Sequence, residues 1–163
     1  MDSHLIALKL VFDGVQTEVD VSTLEARKLL QKVVYLVQRS GLDLSYRFAW
    51  DEMGPYCRDL AQDNRELARN VELDDLSWEG YELQDRFDSA LESVRGLIAR
   101  KPVERDLATH DWLELLASID YLVYVNGLTV EEAKTSLDDV KRHLMHDYPA
   151  ALEALRAAKL VAA

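Results

Sequence analysis

Cysteine is almost missing: Cys57 is the only one among 163 residues. No internal disulfide can form and no cysteine cage can hold a metal, which predicts a reducing, cytoplasmic setting. Long apolar runs are missing too. None approaches the roughly 18 residues of a membrane span, and Met1 to Leu10 carries an aspartate and a histidine where a signal peptide has a basic start. Neither export nor membrane insertion is expected. Basic charge is scarce, with 19 lysines and arginines against 30 aspartates and glutamates and a formal charge of −11. That field repels phosphate backbones and anionic lipid, so nucleic acid is not an expected partner without a local basic patch. The same acidity serves solubility or attraction to a basic protein surface. Internal repeats and low-complexity linkers are absent as well, leaving one domain over residues 1–163.

What is present suffices for a core. Apolar residues make up 48% of the chain, with seven tyrosines and three tryptophans as bulky anchors, so neither metal nor cofactor is needed to hold the fold. The organising stretch is Arg27 to Arg39. At 100° per residue, Leu29, Leu30, Val33, Val34, Leu36 and Val37 share an arc of about 160°, while Lys28, Gln31, Lys32, Tyr35, Gln38 and Arg39 fill the rest. This pattern predicts a core helix over residues 22–40 with one wet, basic face. Ser22 and Glu25 have the spacing of a capping box at its start, and Gly41 stands where a left-handed residue stops it.

In chain order, Leu5, Leu8 and Phe12 predict a short first helix closed by Asp13-Gly14. From Leu44 the period changes to two through Tyr46, Phe48 and Trp50, the pattern of a strand with one buried face. Met53-Gly54-Pro55 reads as a turn, followed by a helix over Tyr56 to Arg69 with Leu60 and Leu67 inward. Trp78 to Leu83 is the expected strand partner of the first. Helical spacing then recurs through Phe87 to Ile98, closed by Pro102, through Trp112 to Leu122, capped by Thr109, and through Val130 to Leu144, opened by a Thr129/Glu132 capping box. A last helix starts at Pro149. The expected architecture is mainly α: about seven helices around one core helix, with a small two-stranded hairpin that helices must cover.

Leu30 to Gln38, Tyr46 and Phe48, Gly54-Pro55-Tyr56 leading into Asp59-Leu60-Ala61, and Trp112 to Leu122 together resemble the YwgA-like family of bacterial proteins, a likeness spanning roughly residues 25–145. This pattern is also similar to the Panacea or SocA-type antitoxin domain. The resemblance implies a protein that neutralises a toxin or delivers it to a protease. Met53 and Cys57 depart from the tyrosine and serine usual in the turn, and Lys141-Arg142-His143-Leu144 replaces the expected Lys-Pro-x-Phe.

Lys28, Lys32, Tyr35 and Arg39 recur at helical spacing, a basic strip edged by an aromatic that can receive an acidic segment of a partner; alternatively these cations pair with the chain's own carboxylates. Gly54, Pro55 and Tyr56 extend this candidate surface, with the hairpin aromatics as a rigid wall. Three other constellations compete. Tyr56 and Cys57 at a helix start can hold an anion or activate a thiol, or can be architectural. Asp139, His143, His146 and Asp147 have helical spacing but lack the glutamate of a His-Glu-x-x-His metal site. Arg105 and His110 have the spacing of the HEPN ribonucleases, though the Thr109 cap places Arg105 in a loop. A winged-helix regulator ranks third, because residues 71–92, where its wing would lie, hold eight acids and one arginine. No catalytic set emerges. The expected function is therefore binding of another protein, a toxin or effector subunit of a bacterial toxin-antitoxin or phage-defence system.

Overall fold

Asp2 opens the first helix, α1 (Ser3–Gly14), its carboxylate accepting the Leu5 N–H and so satisfying one of the donors a helix start leaves unpaired. In the computed structural model, which describes residues 1–162, six further helices follow: α2 (Leu24–Arg39), α3 (Arg58–Glu72), α4 (Asp88–Ala99), α5 (Thr109–Asp120), α6 (Val130–Val140) and α7 (Tyr148–Ala157). Between α2 and α3 lies a two-stranded antiparallel hairpin of β1 (Ala49–Asp51) and β2 (Gly54–Tyr56), with Trp50 opposite Pro55. The fold is mainly α with one small hairpin.

The central helix is α2, packed against α5, α4, α3 and β2. Eight consecutive residues, Leu30 to Val37, are buried on every side. The expected wet face is therefore corrected. Lys32 is 1% exposed and Tyr35 4%, because α5 covers one flank of the helix and the hairpin the other. Such burial is tolerable only when each polar group has a partner, and the helix supplies them. Gln31 Nε2 donates to the Cys57 carbonyl and its Oε1 accepts the Cys57 N–H, both at 2.9 Å. Gln38 does the same for the chain that follows, accepting from the N–H groups of Leu44 and Tyr46 and donating to the Tyr46 carbonyl.

Those Gln38 bonds explain another departure. Leu44 and Tyr46 turn inward as their period requires and Phe48 is half-buried, but Trp50 is 38% exposed, and only residues 49–51 form a strand. Over the preceding stretch a glutamine side chain takes the place of a neighbouring strand. The partner of β1 is not Trp78 to Leu83, which lies in turn and coil, but the Gly54–Tyr56 segment read as a turn. The wing required by a winged-helix reading is thus not formed at residues 78–83.

Caps shift by single residues. Thr23, not Ser22, accepts the Ala26 N–H at the start of α2. Ala108 rather than Thr109 occupies the cap of α5. The Thr129/Glu132 capping box forms as expected, and Gly41, at φ +119°, follows the end of α2. Leu144 falls outside α6, in a 3₁₀ turn over Arg142–Asp147. A π-helical turn over Tyr121–Val125 continues α5. Trp112, fully buried in α5, donates its indole N–H to the Leu97 carbonyl of α4, as an interior tryptophan requires.

Candidate functional site

Two carboxylates of α5, Glu114 and Asp120, receive Lys28 and Arg39 of α2. Glu114 is 4% exposed. Its Oε1 accepts from Lys28 Nζ and its Oε2 from Lys141 Nζ, each at 2.9 Å. Lys28 also reaches Asp111 at 2.9 Å, and Lys141 donates to the Glu52 carbonyl at 2.7 Å. Lys32 Nζ donates to the Pro55 carbonyl at 2.7 Å. Burial pushes the Lys32 ammonium down to about 7, helped by repulsion from Lys141 and Lys28 and opposed by attraction to Glu114 and Asp51. Burial alone would raise Asp111, but its bond to Lys28 holds that carboxyl below its usual value.

These lysines lock the hairpin onto the helices. Gly54, at φ +91°, lies so close to α5 that an added Cβ would stand 2.6 Å from Ser118 Oγ. Only glycine combines that backbone angle with that approach. Gly54 and Pro55 are buried, so of the candidate surface Gly54, Pro55 and Tyr56 only Tyr56 presents a side chain to solvent, at 38% exposure.

The second carboxylate, Asp120, is fully buried. It accepts from Tyr35 OH at 2.7 Å and from Arg39 Nε and Nη2 at 2.7 and 3.1 Å. Burial and the neighbouring Asp120 carboxylate raise Tyr35 far above the usual tyrosine range, so it stays a neutral donor. The Arg39 guanidinium lies 3.5 Å from the centre of the Tyr124 ring.

The strip of Lys28, Lys32, Tyr35 and Arg39 is therefore not one exposed surface; its cations pair with the chain's own carboxylates and carbonyls, and the hairpin divides it. Tyr35 and Arg39 join Phe48, Tyr121 and Tyr124 at a shallow aromatic groove. Lys28 and Lys32 line a cleft of about 150 Å³ between α2, α3 and the hairpin. Its walls are Val21, Leu24, Met53, Tyr56 and Ala61, with Gln31 and Asn64 as neutral polar groups and Arg27, Lys28, Lys32 and Arg65 as cations. No carboxylate lines it, although acids outnumber bases in the chain by 30 to 19. Asn64 is 3% exposed, and its Oδ1 is buried without a hydrogen-bond partner.

The other candidates are dispersed. Arg105, in the loop before α5, turns toward Asp147 at 3.9 Å, and His110 Nδ1 lies 3.4 Å from Asp111. His143 and His146 are exposed whereas Asp147 is buried. Among the described residues no cluster of three or more histidines, cysteines or acids has metal-binding geometry. Cys57 is buried, with its backbone held by Gln31.

Sequence reasoning missed Glu114, Asp120, Lys141 and Arg65. For the two acids a signal existed: each interrupts the apolar run from Trp112 to Leu122, where a charge must be paired to be buried. Comparison with protein families, curated proteins and solved structures finds no match to this chain.

Proposed function

We propose that this chain is a non-catalytic protein-binding module that receives an anionic segment of a partner protein in the cleft between α2, α3 and the hairpin. The observation that carries the reading is the lining: four basic side chains and no acid around an apolar recess, Lys28 paired with acids behind the wall but Arg27 and Arg65 in no ion pair among the described residues, in a protein of net charge −11. Such local inversion of charge favours an anionic ligand over the background field. The resemblance to YwgA-like and antitoxin domains supports a role as antitoxin or accessory subunit of a bacterial toxin-antitoxin or phage-defence system, acting in the cytoplasm on a toxin or effector. Lys32 lines the cleft and also holds the hairpin wall through the Pro55 carbonyl, which Gly54 seats against α5, while Tyr35 lies at the separate aromatic groove. Lys28 and Tyr56 face the cleft itself.

The test is co-purification of the tagged chain with the product of the neighbouring gene, comparing wild type with Arg27→Glu/Arg65→Glu. Both arginines are exposed, so circular dichroism should be unchanged while the partner is lost. Undiminished recovery of the partner by the variant retires the cleft as the docking surface. RNA cleavage by purified protein that disappears in His110→Ala would establish the ribonuclease reading instead.

A further inference from the structure

The cleft has three chemical demands that one ligand group can meet together. Arg27 and Arg65, in no ion pair among the described residues, ask for an anion. The Asn64 carbonyl oxygen, buried without a partner, asks for an N–H donor, since an unsatisfied buried acceptor is costly. Val21, Leu24, Met53 and Ala61 ask for an apolar side chain. About 150 Å³ is room for roughly one residue in the recess.

Resting on the binding role above, we infer that the cleft captures the C-terminal residue of a partner chain, its α-carboxylate among Arg27, Lys32 and Arg65, its amide N–H on Asn64 Oδ1 and an aliphatic side chain against Leu24 and Met53. A C-terminal aliphatic residue carries a carboxylate, an N–H and an apolar side chain on a single carbon. Capture of such termini by convergent donors is a recurring mode of recognition. An internal aspartate or glutamate also brings an anion, but its side chain ends in that anion and leaves the same residue with no apolar group for Leu24 and Met53.

Lys32 adds a signature. Lys28 from its own helix, Lys141 beyond α6, Glu114 from α5 and Asp51 from β1 set its charge balance. A carboxylate arriving beside it favours its protonated form. Binding therefore takes up a proton near neutrality and weakens as pH rises through about 7.

The experiment is titration of the intact chain, by heteronuclear NMR, with three probes: N-acetyl-Ala-Ala-Leu as the free acid, the same peptide as its C-terminal amide, and N-acetyl-Ala-Glu-Ala-amide. The free acid should shift signals of α2, α3 and the hairpin, and the amide should bind at least tenfold more weakly. Arg65→Ala, an exposed position, should cost the free acid about tenfold without moving the spectrum of the unliganded protein, and affinity should fall between pH 6 and pH 9. Equal binding of acid and amide, tighter binding of the glutamate peptide, shifts confined to other surfaces, or no binding at all would overturn the inference. If these probes fail while the Arg27→Glu/Arg65→Glu variant still loses its co-purifying partner, the C-terminal inference falls and the broader binding role stands. Loss of that partner dependence would remove both.

Discussion

Replacing Glu114 by glutamine keeps the shape of the side chain and removes the charge on which two lysines converge. Lys28 retains Asp111. Lys141, fully buried, keeps the neutral Glu52 carbonyl and the face of the Trp50 ring, and Lys32 loses the larger of the two attractions that favour its charged form. Removing one member of a buried ion pair costs about 3–5 kcal/mol, because the surviving charge stays desolvated without compensation. For a domain of this size that corresponds to a fall in Tm on the order of 10 °C. Urea or thermal unfolding followed by circular dichroism measures it. A second variant isolates the cause: adding Lys141→Met to Glu114→Gln removes the stranded ammonium and should recover about half of the loss or more, a coupling that independent sites do not show. A Glu114→Gln cost below about 1 kcal/mol, or no recovery in the double variant, would refute the view that this web clamps the hairpin to the helices.

Three further outcomes follow from the same contacts. Lys32 titrates at about 7 when folded against the usual 10.5, so between those values the unfolded chain holds the extra proton and the contribution of this group to stability grows as pH rises. The urea midpoint of wild type relative to Lys32→Met should therefore increase between pH 7 and pH 9.5 by an amount equivalent to a few kcal/mol; a constant difference contradicts it. Gly54→Ala, which forces a Cβ against Ser118 at positive φ, should cost about 2 kcal/mol or more, whereas Gly41→Ala, at positive φ in open space, should cost about 1 kcal/mol; equal losses would show that the approach to α5 does not matter. Gln38→Ala frees the Leu44 and Tyr46 amides and the Tyr46 carbonyl and should cost about 2 kcal/mol while exposing residues 42–48 to limited proteolysis; unchanged protease resistance would argue against the glutamine as their anchor.

Periodicity made the helices legible, because each buries an apolar face whose spacing is local. The inward alternation of Leu44 and Tyr46 was equally plain. What it could not reveal was the partner, since a glutamine imitating a strand leaves no pattern of its own. The central helix misled for a related reason. Lys32 and Tyr35 read as solvent-facing because charge and hydroxyl ordinarily seek water, and their true partners lie 23 and 85 residues away. The cleft was half visible: Lys28, Lys32 and Tyr56 were identifiable, whereas Arg65 resembles any residue of a solvated helix face and Asn64, though buried, is of a type ordinarily found outside.

The reliance of residues 42–57 on α2 has a kinetic corollary. The Gln31 and Gln38 side chains can accept that stretch only once the helix bearing them is formed and packed, and the hairpin's three-residue strands are too short to persist alone. Docking of this stretch should come after the rate-limiting step, so substitutions there would speed unfolding and leave refolding nearly untouched. Part of the cleft wall would then be the portion of the molecule that opens first under native conditions, giving a partner's tail a way in without global unfolding.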